Sequence, residues 1–170
     1  NVRLFEKTAD GFTLRASGAL GPAGRAVTLG PDGSLLVAFN GGPDRYQLKR
    51  YSVSAEKIEE NATVAPSFTD QWPDLFPDAV PMTTGPSGQV WFSARGSGKV
   101  LSLDPRTDQV RERLTGLPDP VALAFASAGR LCVGVRGARI LQFELPTEEA
   151  VQAKPVAEIA SRPSWLLAMA

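Results

Sequence analysis

The most regular feature of the hydrophobic pattern is an apolar run that follows a turn ending in glycine. The pattern occurs three times, over residues 30–39, 85–94 and, as a weaker copy, 126–135. Glycine supplies the positive φ that tight turns need, and the runs are rich in residues that favour strands. Each copy therefore predicts a β-hairpin, with Val37, Val90 and Leu131 in the second strand.

Two further elements follow each copy in a constant order. The first is a pair of apolar residues three positions apart, at Leu48/Tyr51, Val100/Leu103 and Ile140/Phe143, and Val2/Phe5 opens the chain with the same pattern. The second is a polar outer strand, near residues 12–14, 57–60, 110–114 and 156–159. The unit recurs roughly every 40–50 residues, which is the spacing of four-stranded propeller blades. We expect Val100, Leu103, Ile140 and Phe143 to be buried between blades.

The three elements together predict an all-β fold, a β-propeller whose blades are four antiparallel strands called A to D from the inside outward. An antiparallel sandwich with coincidental spacing is the competing interpretation. The register gives three complete blades plus partial blades at both ends. The predicted limits are a partial blade at 1–25, blades at about 26–80, 81–120 and 121–162, and a partial blade at 163–170.

The register places strand C at the start of the chain and an apolar strand A at residues 163–170, neither with its own strand B. We expect the edges of these end strands to pair with a missing part of a parent chain or with another subunit. Three arrangements remain open: an excerpt of a larger propeller, which we favour, a ring assembled from copies, and a four-blade ring with one defective blade.

Charge and composition narrow the chemistry. Eighteen basic residues balance eighteen acidic ones, so no bulk attraction to nucleic acid or anionic membrane is expected. No apolar run approaches the roughly 20 residues of a membrane-spanning helix. The chain has no histidine, which excludes Ser-His-Asp and Cys-His catalysis within it. Cys132 is the single cysteine, so neither an internal disulfide nor a thiolate zinc site can form. We expect no catalytic residue, metal or cofactor here.

The blade over residues 89–93 and 98–107 resembles those of the NHL-repeat and virginiamycin B lyase-like propellers, and the turn at 30–33 resembles that of the gluconolactonase-like group. The resemblance implies a propeller and says little about chemistry. It also implies a histidine base with magnesium in the lyases, and a channel metal held by carboxylates and amides in the gluconolactonases. This sequence has no histidine and no matched set of metal ligands, so such activity would need residues outside the chain.

Candidate site residues lie in the B–C and D–A loops, which should share one face. Aligning the blades puts Asn40, Arg95 and Arg136 at equivalent positions, and Asp119 lies in a D–A connection. Two arginines flanked by glycine could form a fork for a carboxylate, a phosphate or an acidic side chain. The alternative is that these polar residues simply enter solvated turns.

The longest connection, residues 67–81, carries Trp72 and Phe76, which could anchor a partner or fold back onto the blade's own core. Its three aspartates do not make a calcium loop, which would alternate ligands around a central glycine.

The leading function is a non-catalytic binding or scaffolding propeller that presents one loop face to a macromolecular partner or an anionic ligand. The alternative is a lyase or hydrolase propeller whose catalytic residues lie outside this chain.

Overall fold

The computed structural model describes the chain except for residues 1, 19–23, 41–44, 55–56, 70–79, 128, 146–150, 153–154 and 161–170. The described residues form β-strands and no helix. The strands are β1 (Val2–Thr8), β2 (Gly11–Gly18), β3 (Gly24–Leu29), β4 (Leu35–Asn40), β5 (Arg45–Val53), β6 (Ile58–Thr69), β7 (Met82–Thr84), β8 (Val90–Ala94), β9 (Lys99–Asp104), β10 (Gln109–Thr115), β11 (Pro120–Ser127), β12 (Arg130–Val135), β13 (Arg139–Glu144), β14 (Val151–Gln152) and β15 (Ala157–Ala160).

The strands form four sheets in chain order. Sheet 1 contains β1 and β2, and sheet 2 contains β3 to β6. Sheet 3 contains β7 to β10, with the short β14 added in parallel beyond β10. Sheet 4 contains β11, β12, β13 and β15. The A, B, C and D strands pair antiparallel in sheets 2, 3 and 4, so the prediction of an all-β fold built from propeller blades is confirmed.

Glycine turns join strands A and B, as the sequence predicts. Gly33 and Gly88 have φ of 79° and 82°, values that residues with a Cβ rarely adopt. Val37 lies in β4, Val90 in β8 and Leu131 in β12, the second strands of the three predicted hairpins. The local turn chemistry therefore sets the register of each hairpin.

Alternating side chains of each strand pack against different neighbours. In β4, Leu35 and Val37 join a core with Ala16 of sheet 1, whereas Leu36 joins a core with Phe92 of sheet 3. A third core lies between sheets 3 and 4 and includes Trp91, Leu114, Leu123, Val133 and Phe143. Fully burying one such side chain stabilises the fold by roughly 1.5–3 kcal/mol.

Three of the four residues that we expect to lie between blades are buried, and the exception lies in sheet 4. Val100, Leu103 and Phe143 are at most 3% exposed, as predicted. Ile140 is only half-buried, so that part of the prediction is wrong. Leu141 packs into the core with sheet 3, so the side chain of its neighbour Ile140 lies on the opposite face of sheet 4. On that face Ile140 lies beside Ile159 of β15, which is itself 56% exposed.

The opening pair also departs from the pattern. A bulge shifts the register between Leu4 and Phe5, and Phe5 is 50% exposed while Val2 and Leu4 pack towards sheet 2. The extra residue of the bulge, Arg15, lies in β2, so β1 keeps its alternation and Phe5 lies on the face opposite Val2 and Leu4. Among the described residues no further sheet packs on that face, which is why Phe5 is exposed. Within the described residues there is no helix long and apolar enough to cross a membrane.

Candidate functional site

The connections of the sheets lie at two opposite ends of the strands. The described B–C and D–A connections are residues 95–98, 116–119 and 136–138, and we call their side the loop end. The A–B and C–D turns at residues 30–34, 85–89 and 105–108 lie at the other side, the turn end. Antiparallel order alone requires this division, because consecutive connections alternate between the ends of a sheet.

Arg95 and Asp119 form a two-point ion pair at the loop end. Arg95 Nε donates to Asp119 Oδ1 at 2.9 Å, and Arg95 Nη2 donates to Asp119 Oδ2 at 3.1 Å. The side chains are 4% and 15% exposed, respectively. Parallel hydrogen bonds between a guanidinium and a carboxylate are among the strongest polar contacts in proteins. The pair links the turn after β8 to the connection that enters β11.

Arg136 approaches the same carboxylate from the next sheet. Its Nε lies 4.0 Å from Asp119 Oδ2, and its side chain is 54% exposed. Its backbone N–H donates to the carbonyls of Pro118 and Asp119, at 3.3 and 3.1 Å. Arg95, Asp119 and Arg136, which we call the arginine cluster, thus combine two cationic groups with one anionic group. The cation that reaches solvent is Arg136.

Close backbone contacts hold the loops that carry the cluster. Leu117 N–H donates to the Gly98 carbonyl at 2.9 Å, and Ser93 Oγ donates to the Pro120 carbonyl at 3.0 Å. Gly98 has a φ of 64°, and a Cβ there would lie 2.4 Å from the Leu117 carbonyl oxygen. Only glycine lets the two loops approach this closely, so the positions of Arg95 and Asp119 depend on it.

The structure brings three of the six sequence-predicted site residues together, namely Arg95, Asp119 and Arg136. Asn40 ends β4, but its side chain lies outside the described residues, as do Trp72 and Phe76 entirely. The binding role assigned to all six stays a prediction. The sequence contained each member of the cluster but no signal that Arg95 pairs with Asp119, because the pairing needs the contact between sheets 3 and 4.

Sequence reasoning missed Arg50, which joins sheets 2 and 3 at the turn end. Its Nη2 donates to the Pro105 carbonyl at 2.5 Å and to Asp108 Oδ1 at 2.8 Å. A cavity of about 120 Å³ lies near this contact, lined by residues 31, 87–89 and 104–106. Across the described part of the chain, no group of three or more His, Cys, Asp or Glu side chains could hold a metal ion.

Comparison with solved structures shows the fold. A protein from Lactobacillus plantarum has a TM-score of 0.60 at 17% identity, over 93% of this chain and 50% of that one. A protein of unknown function from Bacteroides caccae has a TM-score of 0.56 at 17% identity, over 91% and 52%. A candidate 6-phosphogluconolactonase from Bacteroides uniformis has a TM-score of 0.56 at 11% identity, over 89% and 61%.

The chain therefore spans between 50% and 61% of the length of these structures. At such low identities the similarity shows the fold alone, and it confirms the resemblance to β-propellers at the level of the fold. No protein-family profile matches the sequence. No significant match was found among curated proteins.

Proposed function

We propose that the protein is a non-catalytic binding or scaffolding propeller whose loop end engages an anionic group, carried by a macromolecular partner or a smaller ligand. The observation that carries the proposal is the exposed guanidinium of Arg136, held over a carboxylate that Arg95 already neutralises. An arginine presented in this way matches a carboxylate or phosphate in shape and charge.

The roles of the two arginines follow from their burial. Arg95 is almost completely buried and shares two hydrogen bonds with Asp119, so it acts as a positioning residue. Arg136 is more than half exposed, and its 4.0 Å separation from Asp119 is at the outer limit of an ion pair. Exposed ion pairs contribute about 0–1 kcal/mol to stability, so moving Arg136 away from Asp119 to contact a bound anion would cost little free energy.

Hydrogen bonds fix the backbone of the loop that carries Arg136. The Arg136 backbone N–H donates to the Pro118 and Asp119 carbonyls, and the Gly98–Leu117 and Ser93–Pro120 contacts hold the connection that carries those carbonyls. A loop whose backbone is already ordered loses little backbone entropy on binding, which raises the affinity obtained from one charged contact. The enzymatic alternative drawn from the sequence stays a prediction.

The proposal can be tested by nuclear magnetic resonance with a hexaglutamate peptide as the anionic probe. Titration should shift the backbone and Nε signals of Arg136 and the amide of Gly137, and in Arg136→Gln the shift of the Gly137 amide should be abolished. Arg106 is an exposed arginine at the turn end and provides the matched control. Arg106→Gln should leave the shifts unchanged. Equal perturbation at both ends of the strands would show only nonspecific attraction between charges and would reject the proposed site.

A further inference from the structure

The inner edge of β1 lacks the strand that its counterparts have. In sheets 2, 3 and 4, strand C pairs with strand B on one side and strand D on the other. In sheet 1, β2 lies beside β6, the strand D of sheet 2, through a bridge between Ser17 and Lys57, so β2 is strand D and β1, its hairpin partner, occupies position C. Val2 and Leu4 of β1 pack against the core that includes Tyr51 of β5. Among the described residues β1 pairs with β2 alone. One row of its backbone groups is therefore open to pairing.

An uncovered apolar surface lies beside this edge. Val27 and Leu29 of β3 are 48% and 58% exposed. They lie opposite Val37 and Leu35 of β4, so all four side chains point to the same face of sheet 2. Val37 and Leu35 are covered by sheet 1. The core between sheets 1 and 2 thus continues inward onto Val27 and Leu29, where nothing described covers it.

The internal repeat shows what covers the equivalent positions elsewhere. The turns at 30–33 and 126–129 correspond, so Leu29 corresponds to Phe125 and Val27 to Leu123. Leu123 is 7% exposed, and Phe125 packs edge-on against Trp91 with ring centroids 5.7 Å apart. Trp91 belongs to β8, strand B of the preceding sheet. A strand B of sheet 1 would therefore lie over Leu29.

We infer that the space beside β1 and β3 seats a β-hairpin of the β7–β8 kind that continues directly into β1. Its second strand pairs antiparallel with β1, and an apolar side chain equivalent to Trp91 covers Leu29. Strands B and C are joined by the short turn 95–98 in sheet 3, which makes a covalently continuous hairpin the simplest occupant. The solved structures of similar fold, of which this chain spans 50–61%, contain additional chain that could supply it.

The test adds the missing hairpin to the full chain. A copy of residues 81–98 is placed before Asn1, and Leu29→Cys is introduced in a Cys132→Ser background. In the extended protein, labelling of this thiol should slow by at least about tenfold, and amides of β1 should gain protection from hydrogen exchange. Ile159→Cys provides the control, because Ile159 is 56% exposed in sheet 4 and its labelling should not change.

Two results would overturn the inference. One is equally fast labelling of Leu29→Cys in an extended protein whose circular dichroism shows it to be folded. The other is protection of this thiol that rises with protein concentration in the unextended chain, which would assign the surface to a second copy. If the extension prevents folding, a synthetic peptide of residues 81–94 added to the unextended chain decides the question. The peptide should shift the amide signals of β1. Signals that stay unchanged up to the highest soluble peptide concentration would reject the hairpin.

Discussion

Arg95 and Asp119 share two parallel hydrogen bonds across the junction between sheets 3 and 4, so a single carboxylate ties together the loops of two blades. The pair separates a structural cation from an accessible one. Arg95 satisfies Asp119 within the protein, while Arg136 remains exposed beside it. This division of roles leads to opposite expectations for the two arginines.

Replacing Arg95 by methionine should lower the free energy of unfolding by about 3 kcal/mol, because a largely buried carboxylate loses the two hydrogen bonds that Arg95 donates to it. Arg136→Met, the matched control, should change it by less than about 0.5 kcal/mol, since that side chain is exposed. Urea denaturation followed by circular dichroism measures both. Equal losses for the two variants would contradict the assignment of Arg95 as the structural residue.

Two phenylalanines test the packing between blades. Phe143 is 3% exposed in the core between sheets 3 and 4, whereas Phe12 of β2 is 73% exposed. Phe143→Ala should lower the free energy of unfolding by about 3–5 kcal/mol. Phe12→Ala should cost less than about 0.5 kcal/mol. A small effect at Phe143 in thermal or urea unfolding would show that sheets 3 and 4 do not share this core.

The contact at Gly98 can be separated from backbone strain by comparing two glycines of positive φ. A Cβ at Gly98 would meet the Leu117 carbonyl, whereas one at Gly33 would meet nothing within 4 Å. Gly33→Ala should therefore cost only the strain of the left-handed backbone, about 1–2 kcal/mol. Gly98→Ala should cost clearly more and should shift the Arg95 signals in a heteronuclear spectrum. Equal costs would mean that the two loops do not depend on their close approach.

Asp32 gives a pH-dependent contribution whose sign is set by its turn. The Ser34 hydroxyl and then the Ser34 backbone N–H donate to its carboxylate, and these bonds lower the pKa of Asp32 below 3.8. Because the folded pKa is the lower one, its stabilisation is present above about pH 4 and is lost as the pH falls through the folded value. Asp32→Asn should show a weaker loss of stability in acid. A carboxyl titration by nuclear magnetic resonance that places this pKa at or above 3.8 would contradict the account.

Much of the fold could be predicted from the sequence because the blade signals are local. A glycine at the turn and a β-rich run after it determine a hairpin without reference to distant residues, as at Gly33 and Val37. The half-burial of Ile140 and the exposure of Phe5 could not be predicted. Both depend on whether a neighbouring sheet covers the face on which the side chain lies, and apolar spacing does not encode this.

The sequence predicts which residues form the arginine cluster, but it does not predict how their side chains pair. Repeat alignment places Arg95 and Arg136 at equivalent positions, yet one is buried and the other exposed. The difference arises from Asp119, which accepts two hydrogen bonds from Arg95 and leaves Arg136 at the edge of contact. Equivalent positions in a repeat share backbone geometry, whereas their charge partners come from connections that do not repeat.

The proposed function is tested most directly by the affinity of a fluorescent hexaglutamate peptide for the unmodified protein, Arg136→Gln and Arg106→Gln, measured by anisotropy. Because Arg136→Gln loses a charge-assisted contact, its dissociation constant for the peptide should be at least about fivefold higher than that of the unmodified protein. Arg106→Gln should bind as the unmodified protein does, and the difference for Arg136→Gln should shrink in about 0.5 M sodium chloride as exposed charges become screened. Unchanged affinity in Arg136→Gln, or an equal loss in Arg106→Gln, would contradict an anion-binding loop end.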